Sequence, residues 1–129
     1  MGNMNLKMRI LVVDDFASMR KIIKGLLKQI GFQNIEEADD GSTALEKLKI
    51  GEFDLVICDW NMPKVPGIEV LKAIRNDPRL KDLPFLMVTA EAKKDNVMEA
   101  VKAGVNQYIV KPFTAETLKK KIEKIFDEG

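Results

Sequence analysis

Four short apolar runs of this chain each end in a residue that could do chemistry. Met8 to Val13 is followed by Asp14-Asp15, Leu55 to Cys58 by Asp59, Phe85 to Val88 by Thr89, and Tyr108 to Val110 by Lys111. If the runs are neighbouring parallel strands, all five residues lie on one rim of the sheet. Like charges about 4 Å apart cost roughly 4 kcal/mol at an effective dielectric near 20. Three converging carboxylates therefore require either a proton or a cation. An all-oxygen ligand set suits a hard ion, and an open set of three carboxylates suits Mg2+ that keeps its waters. Such an ion usually bridges to a phosphate. Lys111 supplies a point charge for a phosphate oxygen and Thr89 a hydroxyl donor, while an aspartate carboxylate can itself accept a phosphoryl group. Taken singly, each residue has a plainer reading: Asp14 and Asp15 as the cap and first turn of a helix, Asp59 as a turn cap, Thr89 as a strand end, Lys111 as a solvated lysine. Their coincidence at successive strand ends is what points to a phosphoryl-acceptor site.

The elements that must position these residues can be read from periodicity. A helix follows Asp15, with Met19, Ile22, Ile23, Leu26, Leu27 and Ile30 on one face and Gly31 at its end. Asn34 to Ala38 is a polar strand candidate. Asp39-Asp40-Gly41 reads as a turn, after which Ser42 or Thr43 is expected to cap a helix carrying Ala44, Leu45 and Leu48 and closing at Gly51. Asn61 to Gly67 holds Pro63 and Pro66 and reads as a loop. The next helix carries Ile68, Leu71 and Ile74 and stops before Asp77-Pro78. Asp95 to Ala103 is helical with Gly104 closing it, and Thr114 opens a last helix with Leu118, Ile122, Ile125 and Phe126 on one face.

Apolar runs separated by helices read as parallel strands buried on both faces and joined by right-handed crossovers. The expected fold is α/β, a five-stranded parallel sheet with helices on both faces, as one (βα)5 domain over residues 1–129 with residues 1–7 as an N-terminal extension. The first and third runs are the most uniformly apolar and belong at the centre; the second is the most polar and belongs at an edge. That agrees with the flavodoxin-like strand order 2-1-3-4-5, whose ligands bind where the order reverses, here between strands 1 and 3.

Composition narrows the chemistry. The chain of 129 residues contains no histidine and one cysteine, Cys58. A Ser-His-Asp or Cys-His centre, an HExxH zinc site, a phosphohistidine carrier, an internal disulfide and a cysteine-rich metal cluster are excluded within it. With 21 basic and 20 acidic residues the net charge is +1, giving no global attraction to nucleic acid or anionic membrane. No apolar run approaches a membrane span, and Met1 to Lys7 has no secretory h-region. A myristoylation signal is argued against by Leu6. A cytoplasmic protein is expected, and Met1 to Asn3 reads as an addition ahead of Met4. The seven methionines read as core filler, with Met19 and Met62 as candidates for the mouth of the site.

The stretches Leu11-Val12-Val13-Asp14-Asp15, Cys58-Asp59-Trp60-Asn61-Met62-Pro63, Met87-Val88-Thr89-Ala90 and Tyr108-Ile109-Val110-Lys111-Pro112-Phe113 resemble the response-regulator receiver domain, over essentially the whole chain. Phe16, Asp59-Trp60-Asn61, Thr89 to Lys94 and Lys111 to Thr114 resemble its single-domain chemotaxis type in particular. The resemblance implies that Asp59 is the phosphoryl acceptor. It implies that Asp15, Asp59 and the Asn61 backbone carbonyl bind Mg2+ directly, with Asp14 acting through water. Lys111 would pair with the phosphoryl group, and Thr89 and the backbone amides of Trp60, Asn61 and Ala90 would bind its oxygens. Lys111-Pro112 would be a cis peptide. Thr89 and Tyr108 would form the switch.

The implied partners are a histidine kinase of the chemotaxis type, a flagellar motor switch protein and a dedicated phosphatase, acting on a monomer that catalyses its own phosphoryl transfer and autodephosphorylation. The partner face would comprise Lys94, Tyr108, Lys121 and Lys124, beside Lys119 and Lys120, though Glu116, Glu123, Asp127 and Glu128 dilute its charge and a solvated lysine face is the simpler reading. In place of the Asp-Gly that many receivers carry after the Met-Pro loop, this chain has Val65-Pro66-Gly67, which bears on leaving-group access and dephosphorylation rate. Two alternatives remain at this point: a receiver serving another phosphorelay, and an aspartyl-phosphate phosphatase. The second usually needs Asp-x-Asp after the first strand, where this chain has Asp14-Asp15-Phe16. An FMN carrier is disfavoured by the acidic first turn, and a P-loop by the missing glycine-lysine motif.

Overall fold

The computed structural model describes residues 5–91 and 93–127. Met1 to Asn3, Ala92 and Glu128 lie outside the described residues. The elements alternate as β1 (Arg9–Val13), α1 (Ala17–Ile30), β2 (Asn34–Ala38), α2 (Gly41–Ile50), β3 (Leu55–Asp59), α3 (Gly67–Asn76), β4 (Phe85–Thr89), α4 (Lys94–Ala103), β5 (Gln107–Val110) and α5 (Ala115–Asp127). The strands form one parallel sheet in the order β2-β1-β3-β4-β5. Asn5 to Lys7, expected as an extension, are tied to the domain through Met8 N–H donating to Asn5 O and Asn34 Nδ2 donating to Lys7 O.

Strand alternation builds the core in two layers. Leu11, Val13, Val56, Cys58, Phe85 and Met87 point to one face and pack under Ala44 and Leu48 of α2 and Leu71 and Ile74 of α3. Ile10, Val12, Leu55, Ile57, Leu86, Val88 and Ile109 point to the other, under Ile23 and Leu27 of α1 and Leu118 and Ile122 of α5. Burial on both faces explains why these strands read as continuous apolar runs. Each fully buried aliphatic or aromatic side chain contributes roughly 1.5–3 kcal/mol of transfer free energy, so the sheet is a stiff platform for whatever leaves its ends. No described helix is long and apolar enough to cross a membrane.

Local details depart from the periodicity in places. Asp40, rather than Ser42 or Thr43, caps α2: its carboxylate accepts from the Thr43 N–H at 2.9 Å and from the Ser42 hydroxyl at 2.6 Å. The helix therefore starts at Gly41, inside the stretch that reads as a turn. Ile22 is 55% exposed, because it lies about 100° round the helix from Ile23 and so at the margin of the buried stripe. Phe126 sits similarly at the margin of α5. Thr114 does open α5, its hydroxyl accepting from Thr117 N–H at 3.2 Å. Gly31 and Gly104, with φ of 125° and 94°, close α1 and α4. Met62 is buried in the α2–α3 layer while also lining an open groove with Trp60, Asn61 and Pro63, and Met19 packs against the α1–α5 layer. Met98, by contrast, is 47% exposed and fills no core.

The loop after β3 is fastened directly to the site. Pro66 precedes α3, and Gly67 N–H donates to Trp60 O at 2.9 Å. A Cβ at Gly67 would lie 2.3 Å from Asp59 O and 3.0 Å from Met87 Sδ. Gly25, in the middle of α1, has open space around the same position. Gly67→Ala is therefore expected to destabilise the protein by about 3 kcal/mol through overpacking against backbone. Gly25→Ala should stabilise it by about 0.5–1 kcal/mol through helix propensity. Urea denaturation of the two variants checks both signs, and an unchanged midpoint for Gly67→Ala would contradict this packing.

Candidate functional site

The reversal of strand order between β1 and β3 brings the ends of those strands side by side, with Val13 paired to Cys58. Asp14 and Asp15 leave one end and Asp59 the other. Carboxylate oxygens of all three lie within 4.8 Å of one another. Asp14 and Asp59 are buried, while Asp15 is half-buried. Lys111, arriving from β5, places its ammonium 3.0 Å from Asp59 Oδ1 and 3.9 Å from Asp14 Oδ2. Asp14 Oδ1 is occupied by the Phe16 N–H at 2.9 Å. Asp14 Oδ2 and Asp15 Oδ1 are buried with no hydrogen-bond partner.

Two orphaned carboxylate oxygens beside a third carboxylate are the donor set that a hard cation satisfies. The residues fit a divalent ion, and Asp14, Asp15 and Asp59 could hold one. Electrostatics agree. Burial pushes the Asp14 carboxyl above the usual carboxylate range, opposed by the Phe16 N–H and reinforced by the Asp59 charge. Burial does the same to Asp59, opposed chiefly by Lys111.

The other expected residues fall into place unevenly. Thr89 is buried at the end of β4, but its hydroxyl is turned into its own loop, donating to Glu91 O at 2.8 Å. The Trp60 N–H donates to Val88 O at 2.8 Å. Of the three amides expected to bind phosphoryl oxygens, this one is committed to the sheet; those of Asn61 and Ala90 leave the strand ends beyond it. Tyr108 is half-buried on β5, and the Lys121 ammonium stands 5.1 Å from its ring centre. Trp60, Met87, Thr89, Val97, Ala100 and Tyr108 enclose a gap of about 10 Å³. Lys94 opens α4 and Lys124 lies in the last turn of α5, both exposed; Lys119 and Lys120 are exposed as well, and Lys120 pairs with Glu116 at 3.3 Å. The Lys111-Pro112 peptide is cis. Val65 packs on Gly41 at the start of α2, which pins the Val65-Pro66 segment to the neighbouring helix.

The periodicity gave no sign of Arg20. Its guanidinium donates to Asp14 O at 2.7 Å and to Glu37 Oε1 at 3.0 Å. The residue lies on α1 with the apolar stripe's neighbours, and only its spacing of six from Asp14 hints at the contact.

Raised folded pKa values mean that the native state holds protons on Asp14 and Asp59 more tightly than the unfolded chain does. The stability linked to those protons is present at acid pH and lost as pH rises through the raised values. Ionising Asp14 and Asp59 thus works against the fold unless a cation offsets their charge. Asp14→Asn keeps the acceptor for Phe16 N–H and removes the charge. In chelator at pH 7 it is expected to be more stable than the native protein by on the order of 1 kcal/mol, with the gain shrinking as pH falls into the range where Asp14 is protonated. Urea titrations across pH check this; a variant less stable at pH 7 would show that the cluster is not strained.

Known proteins agree with this geometry. The response regulator receiver domain family matches residues 10–123. The chain is 62% identical over 120 residues to the chemotaxis protein CheY of Pseudomonas aeruginosa, covering 93% of this chain and 97% of that protein. It is 60% identical over 124 residues to the chemotaxis protein CheY-3 of Vibrio cholerae, covering 96% and 95%. Among solved structures, chemotaxis protein CheY4 of Vibrio cholerae superposes with a TM-score of 0.86 at 36% identity, covering 92% of this chain and 98% of that one. A CheY-like receiver domain protein from Methanospirillum hungatei gives 0.84 at 30% identity, covering 95% of each. The strand order 2-1-3-4-5 seen here is also that of CheY. With the match spanning nearly the whole sheet and its acidic rim, the chain belongs to the response regulator receiver domain family.

Proposed function

We propose that this protein is a phosphorylation-switched regulator of chemotaxis, one receiver module in which Asp59 accepts a phosphoryl group from a histidine kinase and the modified domain then binds a flagellar motor switch protein. The observation that carries the reading is the Lys111 ammonium 3.0 Å from Asp59 Oδ1, on a rim shared with Asp14 and Asp15. The chemotaxis role is supported by the similarity to the Pseudomonas and Vibrio proteins.

In this reading an Asp59 carboxylate oxygen attacks the donor's phosphorus. A new oxygen–phosphorus bond forms, and the donor's bond to phosphorus breaks with its electron pair leaving on the donor. Asp15, Asp59 and the Asn61 carbonyl would hold Mg2+, with Asp14 acting through water, and the ion would supply charge neutralisation at the phosphoryl oxygens. Lys111 transfers its contact from Asp59 to the phosphoryl group. The Thr89 hydroxyl gives up Glu91 O for a phosphoryl oxygen, and the amides of Asn61 and Ala90 provide the remaining donors. Hydrolysis at the same site returns Asp59 to its free form.

Movement of Thr89 opens room beside Tyr108, whose ring turns inward and alters the surface of α4, β5 and α5. Lys94, Lys121 and Lys124 on that surface suit an acidic amphipathic peptide of the motor switch, bound by a monomer in the cytoplasm. A dedicated phosphatase would shorten the signal.

The test uses Trp60, the single tryptophan, beside Asp59. Adding Mg2+ is expected to change its fluorescence, and acetyl phosphate to change it further. Intact mass should then increase by one phosphoryl group, stable in acid, labile in base and absent from Asp59→Asn. A phosphoryl mass that persists in Asp59→Asn would overturn the assignment. Equal affinity of the switch peptide for phosphorylated protein and for Asp59→Asn would sink the switch.

A further inference from the structure

The geometry points to Arg20 as a positioning residue for the acid pair: by holding the Asp14 carbonyl and the Glu37 carboxylate together, it fixes the turn between β1 and α1 in the form that binds a divalent cation. This rests on the reading of Asp14, Asp15 and Asp59 as the magnesium site.

Asp14 is held on nearly every side. Its N–H donates to Ala38 O at 3.2 Å, its carbonyl accepts from Arg20 Nη1 at 2.7 Å, and its Oδ1 accepts from Phe16 N–H at 2.9 Å. The one polar atom of Asp14 without a hydrogen bond is Oδ2, which faces the other carboxylates. Arg20 makes that arrangement rigid because its second donor, Nε, is anchored on Glu37 Oε1 at 3.0 Å. Glu37 is in turn fixed by Lys24 Nζ at 2.9 Å on its other carboxylate oxygen and by Lys47 Nζ on its carbonyl. Glu37 precedes Ala38, the β2 residue paired with Val13. The guanidinium therefore clamps the acid turn to the edge strand at two points. The Arg20 side chain is only 16% exposed, and a planar fork is needed to serve two acceptors in fixed directions, which an ammonium does less well. Carboxylates that repel would otherwise spread, and a site that must be gathered on binding loses affinity for the ion.

The sign of the effect separates positioning from simple electrostatics. Arg20 is a cation near a cation site, so deleting its charge alone would strengthen Mg2+ binding. Positioning predicts the opposite. Mg2+ titrations followed by Trp60 fluorescence are expected to show Arg20→Met weakened about tenfold, the scale on which outer-shell partners act. Lys21→Met, which removes an exposed cation next to Arg20 on α1 and leaves the clamp intact, should titrate like the native protein. Thermal midpoints measured alongside separate a merely structural role, which would lower the midpoint and leave the Mg2+ affinity unchanged. If Arg20→Met does not fold, Glu37→Ala removes the clamp's second anchor and carries the same expected loss. A native protein with no saturable Mg2+ response would bring down the magnesium reading. A native protein that saturates, with Arg20→Met saturating at the same or lower concentration, would bring down the positioning role alone.

Discussion

Three carboxylates are held closer together than they would choose to sit, and the site's chemistry follows from that repulsion. Two of them are buried, which raises the cost of their ionised forms and pushes both pKa values up. The sheet prevents them from relaxing apart, since Val13 and Cys58 are paired neighbours in the middle of a ladder buried on both faces. Lys111 offsets part of the repulsion at Asp59 and only grazes Asp14. It reaches the cluster from two strands away because its own N–H donates to Thr89 O at 2.8 Å, extending the β4–β5 pairing beyond the end of β5. A cluster left partly uncompensated in this way is a donor set that a hard cation would satisfy, and that cation's charge would be needed before an anionic phosphoryl group could sit beside it.

The rim is stiff on one side and soft on the other. On the β1–β3 side, Asp14 is clamped by the edge strand and Arg20, and Gly67 brings the loop after β3 hard against the Asp59 backbone. On the β4–β5 side, the Thr89 hydroxyl bonds within its own loop, donating to Glu91 O at 2.8 Å and accepting from Glu91 N–H at 3.4 Å. Exchanging that bond for another costs about 1 kcal/mol at most in net terms. Tyr108 is covered by an ammonium at 5.1 Å, a contact of about 0.5–1 kcal/mol at an exposed site. An event at Asp59 meets little resistance on this side. That soft side carries α4 and β5, the surface the proposed switch would use.

The same contrast governs what the sequence could reveal. Strands buried on both faces must be apolar throughout, so β1, β3 and β4 and the residues at their ends were legible, and with them the cluster and Lys111. The polar β2 reads as an edge strand for the same reason, and it lies at the edge. What stayed hidden depends on contacts between elements distant in the chain. Whether Asp40 or Ser42 caps α2 turns on where the helix begins, which shifts by a residue or two with no change in pattern. The Trp60 amide, which the resemblance assigns to the phosphoryl oxygens, is bonded to Val88 O of the neighbouring strand. Arg20 reads as one more surface cation of an amphipathic helix, because its acceptors, Asp14 O and the Glu37 carboxylate, come from two other elements. Arg75 is similar: it donates to the carbonyls of Lys81, Leu83 and Gly104 and to Asn106 Oδ1, and no periodicity announces that role.

The chain has no histidine, so with Asp59 as acceptor a phosphohistidine donor has to belong to another molecule and reach a residue that is 4% exposed. These two requirements are compatible because of what surrounds the carboxylate. Phe16 is 63% exposed, and Asn61 and Ala90 are exposed as well. They follow the ends of β1, β3 and β4 and so ring the acid cluster. A partner that rests on this rim can send a single side chain down to Asp59 while bulk water is displaced by the contact itself. The burial that raises the Asp14 and Asp59 carboxyl pKa values thus also shapes access to Asp59: a small phosphodonor enters by itself, whereas a protein donor has to settle on the rim.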